Sequence, residues 1–216
     1  MIFQPDRYLL KKQIKELSHF IKGRILDIGS GPNGGRYKKY FSQHDYITLD
    51  INPDYNPDIV GSALKIPAAD DSFDGVVCFQ VLDDLKNPAE AIKEMRRVLK
   101  PGGYGILSVP QSNELHDEPY DYWRFTKYGI SAILSEAELE IIRIRPRGGF
   151  WTLRAQSTAR YFIDLLGLYR HKIIGRLLNP FFLICGLISI WLDTIDRSKA
   201  NRKHTLGWIV LFKKQT

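Results

Sequence analysis

The sequence predicts an α/β protein built on an open, mostly parallel sheet. Three observations carry this reading. Short apolar runs of strand length alternate with segments of helical periodicity over residues 23–150. The first run, Ile25-Leu26-Asp27-Ile28, feeds a loop of closely spaced glycines, Gly29-Ser30-Gly31-Pro32-Asn33-Gly34. The second, Tyr46-Ile47-Thr48-Leu49, ends in an acid, Asp50. Strands alternating with helices imply parallel pairing through right-handed crossovers, and such sheets take their ligands at the carboxyl ends of the strands.

The elements follow in order. Pro5 to Ile21 places Tyr8, Leu9, Ile14, Leu17 and Ile21 at roughly helical spacing among lysines, which predicts an amphipathic helix over residues 1–22 packing on the core. Gly23-Arg24 breaks it and the first strand begins. Arg36 to Ser42 is expected to be helical, and Asp58 to Ala63 to form a third strand with its loop. Asp71-Ser72-Phe73-Asp74-Gly75 is a turn into the continuous apolar run Val76-Val77-Cys78-Phe79, the pattern of a strand buried on both faces. Asn87-Pro88 opens a helix through Leu99, with Ala91, Ile92, Met95, Val98 and Leu99 on one side. Pro101-Gly102-Gly103 stops it, and Tyr104 to Val109 is the next strand. Thr126 caps a helix over Lys127 to Ala137. Glu138 to Arg145 and Leu206 to Lys214 read as the last two strands.

Composition bounds the function. The 216 residues suit one domain with an elaboration, and the apolar and charged fractions are those of a globular chain. Cys78 and Cys185 lie far apart in apolar runs, so buried free thiols in a reducing compartment are expected rather than a disulfide or metal framework. Met1 to Arg7 lacks the basic-then-apolar order of a signal peptide, and a cytoplasmic location is expected. Of the net charge of +7, a surplus of six belongs to Trp151–Thr205, with nine Lys/Arg against three Asp. A local anionic partner fits this better than a nucleic acid.

The glycine loop admits two ligand classes. Gly29, Gly31 and Gly34 match the spacing of dinucleotide binders. A pyrophosphate gains nothing from Asp27, whereas a ligand carrying an ammonium and a sulfonium would. Asp50, at the end of the second strand, can accept both hydroxyls of an adenosine ribose.

Four stretches in order, LDIGSGPNG, ITLDIN, IPAADDSFDGVVCFQVLDDLKNP and RRVLKPGGYGILSVP, resemble those of class I S-adenosylmethionine-dependent methyltransferases of the type 11 group. Each is weak alone; together they are specific. The resemblance implies a Rossmann-like fold with a seven-stranded, mostly parallel sheet and an antiparallel last strand, and S-adenosylmethionine as cofactor. It implies that Asp27 organises the methionine end, that Gly29, Ser30 and Gly31 approach it closely, and that Asp50 takes the ribose hydroxyls with Ile51 against the adenine. Ser62, Ala63 and Leu64 would border the adenine, and Gln80 and Val81 would pass beneath the methionine. Three positions depart from the pattern: Asn33 replaces a common third glycine, Ser62 a common adenine-contacting Asp, and Asp84 a common His.

The polar, aromatic run Asn113 to Thr126 falls at the carboxyl end of the sheet, and a subset of the same group carries a similar H-x-x-P-x-D-Y-W-R-F-T pattern. Its aromatics either anchor the loop or wall a substrate. Asp84, His116 and Tyr122 are the candidate bases, and Arg124 a candidate for orienting an anionic acceptor. His116 with Asp117 and Glu118 is not read as a metal site.

About 50 residues (151–204) separate the last two strands, where the family needs a short connection. Arg160 to Leu178 places Phe162, Leu165, Leu166, Tyr169 and Ile173 on one face; Leu177 to Leu192 has no charged residue, and Asn179-Pro180 argues against a straight helix. Sixteen residues are short for a bilayer span. Basic residues flank the run, so residues 160–203 are read as a contact with an anionic membrane surface or lipid-like substrate, with a homodimer interface or internal packing as alternatives. The expected organisation is thus residues 23–150 and 205–216 as the methyltransferase domain, with residues 151–204 as a helical insertion.

The expected function is methyl transfer to a small-molecule or lipid- or glycan-linked acceptor, by a cytoplasmic protein peripheral on the inner face of the membrane. The alternatives are a non-catalytic cofactor-binding scaffold and, less well supported, a NAD-dependent oxidoreductase.

Overall fold

The computed structural model describes residues 2–32 and 35–216, so Asn33 and Gly34, and with Gly34 the third position of the glycine spacing, lie outside the described residues. Seven strands form one sheet: β1 (Arg24–Ile28), β2 (Asp45–Asp50), β3 (Ile59–Val60), β4 (Phe73–Phe79), β5 (Leu99–Pro110), β6 (Leu139–Pro146) and β7 (Gly207–Lys214), in the order β3-β2-β1-β4-β5-β7-β6. β1 lies parallel to both β2 and β4, and β4 parallel to β5. The last strand inserts between β5 and β6 and makes the sheet mixed. Ile28 stands opposite Leu49 and Cys78, so the segments after β1, β2 and β4 leave the sheet at a common edge.

The helices are α1 (Pro5–Leu17), α2 (Pro88–Val98), α3 (Lys127–Glu136), α4 (Phe150–Leu165), α5 (Lys172–Ile195) and α6 (Lys199–Arg202). The buried stripe of the first helical segment is Leu10, Ile14, Leu17 and Ile21; Leu10 takes the place expected for Tyr8 and Leu9, and Tyr8 is exposed. Tyr8 precedes Leu10 by two residues, about 200° around the helix, and so points away from the i, i+4, i+7 row that Leu10 begins. α2 buries Ala91, Ile92, Met95 and Val98 completely, as its periodicity predicts, and the Asn87 side chain caps it by accepting the Glu90 N–H. Truncating Met95 to Ala there should cost ~2–5 kcal/mol. Thr126 caps α3 through the Gly129 N–H.

The helix expected over Arg36 to Ser42 is reduced to one 3₁₀ turn, Lys38–Tyr40. Only Tyr37 and Phe41 of this stretch bury, and two anchors four residues apart need a single turn. β5 begins at Leu99, earlier than expected, and its register against β4 shifts where Pro101-Gly102-Gly103 intervenes.

The chain divides into two compact units. The sheet unit comprises Gln13–Pro110, Leu115–Arg145 and Trp208–Thr216. Its core joins the inner side chains of the strands to the apolar faces of α2 and α3, including Leu26, Ile28, Val76, Ile92, Met95, Leu107 and Phe212. The other unit comprises Met1–Lys12, Gln111–Glu114 and Pro146–Gly207. There Ile2, Ile163, Leu168 and Phe182 form a small core. Asp193 caps α4 from α5, accepting the N–H groups of Gly149, Trp151 and Thr152, and Asn201 accepts that of Phe150. Arg147 is fully buried and paired with Asp6.

Three expectations about the segment between the last strands are corrected. α5 runs unbroken for 24 residues through Pro180. Proline removes one helical hydrogen bond, that of the Arg176 carbonyl, but both residues are exposed and solvent can satisfy the freed carbonyl. Phe162, Leu165, Leu166, Tyr169 and Ile173, expected to share a face of one helix, straddle the break between α4 and α5 and are all exposed. Cys185, expected buried, is exposed on α5, whereas Cys78 is buried in β4.

Candidate functional site

The edge where β1, β2 and β4 end gathers the predicted cofactor residues. Gly29 and Ser30 both donate their N–H to the Leu49 carbonyl, at 2.8 and 3.1 Å, folding the glycine loop back over β2. The Asp50 carboxylate accepts the Gly31 N–H at 2.8 Å and the Asn52 N–H at 3.0 Å. Gly29 and Gly31 have φ of +70° and +66°, the left-handed region that favours glycine. They differ in surroundings. A Cβ at Gly29 would lie 2.4 Å from a Val81 methyl, whereas one at Gly31 would meet nothing within 4 Å.

Asp27 is buried at the end of β1. Burial pushes its carboxyl up to about 7, opposed by the Tyr46 hydroxyl and reinforced by the charge of Asp50. Ser30 is buried and, among the described residues, its hydroxyl oxygen has no hydrogen-bond partner. An acid whose charge is disfavoured by burial, a hydroxyl without a partner among the described residues and an open cradle over Gly31 together fit a ligand that brings a cation and hydrogen-bonding groups. Ile51 is 72% exposed directly beyond Asp50, an apolar side chain free to cover a flat ring. Ser62 turns its hydroxyl inward to accept the Leu64 N–H; Ala63 is buried and Leu64 packs on the core. Gln80 takes a left-handed φ of +57° and is held there by its N–H to the Ser108 carbonyl and its side chain to the Ser108 hydroxyl. A strained residue fixed on both sides is a mark of a functional turn.

Beside this lies a second group. Asp83 and Asp84 sit in the 3₁₀ turn after β4 (Leu82–Asp84), and the loop from Leu115 to Phe125 closes over them. Tyr122 and Trp123 both donate backbone N–H groups to the Asp83 carbonyl, the Trp123 indole donates to the Leu85 carbonyl, and the Phe125 N–H reaches Pro110. The aromatic pattern therefore anchors the loop. The Tyr122 side chain itself is exposed.

His116 stands between two acids, with Nε2 3.3 Å from Asp83 and Nδ1 3.3 Å from Asp121. Arg124 pairs with both oxygens of Asp121, at 2.5 and 2.7 Å. That guanidinium, against the opposing effect of burial and with help from the His116 N–H, holds the Asp121 carboxyl down to about 2. Burial and the charge of Asp83 push Asp84 up to about 7. The structure thus brings Asp84, His116 and Arg124 together and adds two acids that sequence reasoning did not single out, Asp83 and Asp121. Asp83 was visible only as half of an Asp-Asp pair, and its complete burial is a tertiary fact. Burial also raises the Cys78 thiol, with Asp27, Asp83 and Asp84 adding to the effect, which places both groups around the end of β4.

Fold and site together define a class I methyltransferase architecture. Residues 26–107 match the family model of a methyltransferase domain. Over 172 residues the chain is 28% identical to an uncharacterised protein of Methanocaldococcus jannaschii, covering 75% of this chain and 82% of that one. It is 37% identical over 68 residues to the demethylmenaquinone methyltransferase of Bacillus velezensis, spanning 32% of this chain and 29% of that enzyme. Among solved structures, the [4+2]-cyclase SpnF aligns with a TM-score of 0.62 at 21% identity, over 98% of this chain and 81% of that one. The 1,6-didemethyltoxoflavin-N1-methyltransferase of Burkholderia thailandensis, bound to its substrate and S-adenosylhomocysteine, aligns with a TM-score of 0.57 at 13% identity, over 98% and 79%. Residues 26–107 therefore carry the signature of a methyltransferase domain, and the chain is similar along most of its length to proteins of the class I methyltransferase fold.

Proposed function

We propose that the protein binds S-adenosylmethionine over the glycine loop and transfers its methyl group to a small-molecule or lipid- or glycan-linked acceptor presented at an anionic membrane surface. The observation that carries the cofactor assignment is the open space at Gly31 between two acids, Asp27 and Asp50. Asp27 would hold the ammonium, Asp50 the ribose hydroxyls, and Ile51, Ser62, Ala63 and Leu64 the adenine, with Gln80 and Val81 under the methionine. When bound, the sulfonium supplies an already activated methyl, so the protein's task is to hold the acceptor in line with it. For a hydroxyl acceptor a base is needed, and His116 or Asp84 can take the proton. Arg124 acts through Asp121, to which it is committed, and so keeps His116 in place. A dinucleotide is disfavoured: the loop runs into a single 3₁₀ turn instead of the helix N-terminus that cradles a pyrophosphate, and two acids face the same space.

Support for the membrane surface comes from α5. It is long and apolar enough to cross a membrane, and only 22% of its most apolar stretch is buried. Leu177, Phe181, Ile184, Ile188, Trp191 and Ile195 are exposed along it. Arg170, Lys172 and Arg176 precede this face, and Arg197, Lys199, Arg202 and Lys203 follow it. An exposed apolar helix between basic clusters suits the boundary of an anionic leaflet. The buried free thiol of Cys78 agrees with a reducing, cytoplasmic setting on the inner face.

The test is a transfer assay with methyl-labelled cofactor against extracts of the native host, beside calorimetry with S-adenosylhomocysteine and NAD. Binding of S-adenosylhomocysteine and a labelled, membrane-extractable product are expected; binding of NAD alone would overturn the reading. The second reading, a cofactor-binding protein that does not transfer methyl groups, is favoured by one observation: the neighbour of this fold with a TM-score of 0.62 is described as a cyclase. Cofactor binding with no labelled product would select it.

A further inference from the structure

We infer that Asp83, Asp84 and the Nε2 of His116 form a binding site for one divalent first-row metal ion. Donor atoms of Asp83, Asp84, His116 and Asp121 all lie within 4.8 Å of one another. Oxygen and nitrogen ligands about 2.1 Å from a common ion sit up to about 4 Å apart, so the cluster is within a small side-chain movement of coordination distance.

The stronger observation is Asp83. It is 0% exposed, and among the described residues neither carboxylate oxygen has a hydrogen-bond partner; His116 Nε2 lies 3.3 Å from one of them. A buried carboxylate without hydrogen bonds is costly unless a cation compensates it. Asp84 next to it also has a buried oxygen, Oδ1, without a hydrogen-bond partner among the described residues. The Arg124 guanidinium is bonded to the two oxygens of Asp121 and to the Trp123 carbonyl, and lies 3.4 Å from His116 Nδ1.

A divalent ion resolves this arrangement, and Asp121 shows how. Ligating histidines hold their second ring nitrogen on a carboxylate, which fixes the tautomer and turns the other nitrogen to the metal. Here Nδ1 lies 3.3 Å from Asp121, itself anchored by Arg124, and Nε2 points at Asp83. Asp121 is therefore a positioning residue and not a ligand. Two carboxylates and one imidazole suit Mn²⁺ or Zn²⁺ better than the all-oxygen preference of Mg²⁺ or Ca²⁺. Three protein ligands also leave positions open for an acceptor oxygen, whose acidity the ion would raise in place of the base role given to Asp84 or His116 above; that extension, unlike metal binding itself, rests on the methyl-transfer reading.

The test uses the full chain, freed of metal, with no cofactor or acceptor present. Mn²⁺ titration should quench the free-ion electron paramagnetic resonance signal with a stoichiometry of one ion per chain, and Zn²⁺ should compete. Asp84→Asn and His116→Gln should each weaken binding by at least about tenfold, while Glu136→Gln, an exposed acid at the end of α3, should bind as the parent does. Asp121→Asn should weaken binding less than either ligand variant and change the line shape of the bound ion. Persistence of the free-ion signal at millimolar protein together with no Zn²⁺ binding would overturn the site. So would unchanged affinity in both Asp84→Asn and His116→Gln, which keep the buried Asp83 intact and are chosen for that reason. Because no methyl transfer is read, failure here leaves the cofactor assignment standing, and failure of the transfer assay leaves this one.

Discussion

The Asp50 carboxylate accepts the Gly31 N–H at 2.8 Å, tying the acid that ends β2 to the loop that follows β1. One side chain thus shapes the loop and still presents lone pairs towards the space above it. Replacing Asp50 with Ala should lower affinity for S-adenosylhomocysteine by ~2–3 kcal/mol through lost charge-assisted hydrogen bonds. Calorimetry measures this, and unchanged affinity would refute the ribose role.

The two loop glycines separate folding from binding. Gly29→Ala meets both a left-handed φ and the Val81 methyl at 2.4 Å, so it should destabilise the fold, seen as a lower urea midpoint. Gly31→Ala meets only the backbone term, ~1–2 kcal/mol. Its methyl enters the proposed cofactor space, so binding should fall far more than stability. Equal losses in both assays would argue that nothing binds over Gly31.

Asp27 sets a pH dependence. Its folded carboxyl titrates at about 7 against an ordinary value of 3.8, because burial disfavours the charge. The folded state therefore holds a proton that the unfolded chain has lost, and stability falls as pH rises from about 4 to about 7. A cationic ligand requires the ionised form. Affinity for S-adenosylhomocysteine should rise with pH and level off above about 7, and Asp27→Asn should both flatten that profile and weaken binding. A profile that is flat in the parent protein would remove Asp27 from the ammonium site.

The buried pair in the other unit carries stability. Arg147 is fully buried and its Nε–H bonds to Asp6. Asp6→Ala leaves that charge without its carboxylate and should cost ~3–5 kcal/mol, measurable by chemical denaturation. A loss below 1 kcal/mol (about the worth of an exposed pair) would show that the charge is compensated elsewhere.

The exposed face of α5 should bind vesicles. Flotation is expected with anionic liposomes at low salt and not with neutral ones, and Ile184→Glu with Ile188→Glu should abolish it while leaving S-adenosylhomocysteine binding intact. Absence of flotation, with a concentration-dependent dimer in sedimentation, would transfer that face to self-association.

Much of this was legible in local sequence. A strand ending in Asp27 and glycines, a second ending in Asp50, and an apolar period along α2 each show their structure within a few residues, because turn chemistry and side-chain periodicity are local constraints. Those determined the α/β class; the seven-stranded sheet and the proposed cofactor came from the resemblance of four ordered stretches to class I methyltransferases. Tertiary structure decided what depends on which faces find partners. It buried Asp83 and set it against His116, committed Arg124 to Asp121, shortened the helix after the glycine loop to one turn and carried α5 through Pro180 with its apolar side uncovered. Periodicity marks a side chain as apolar or charged; only the packing of distant segments determines whether water, another side chain or a ligand must answer it.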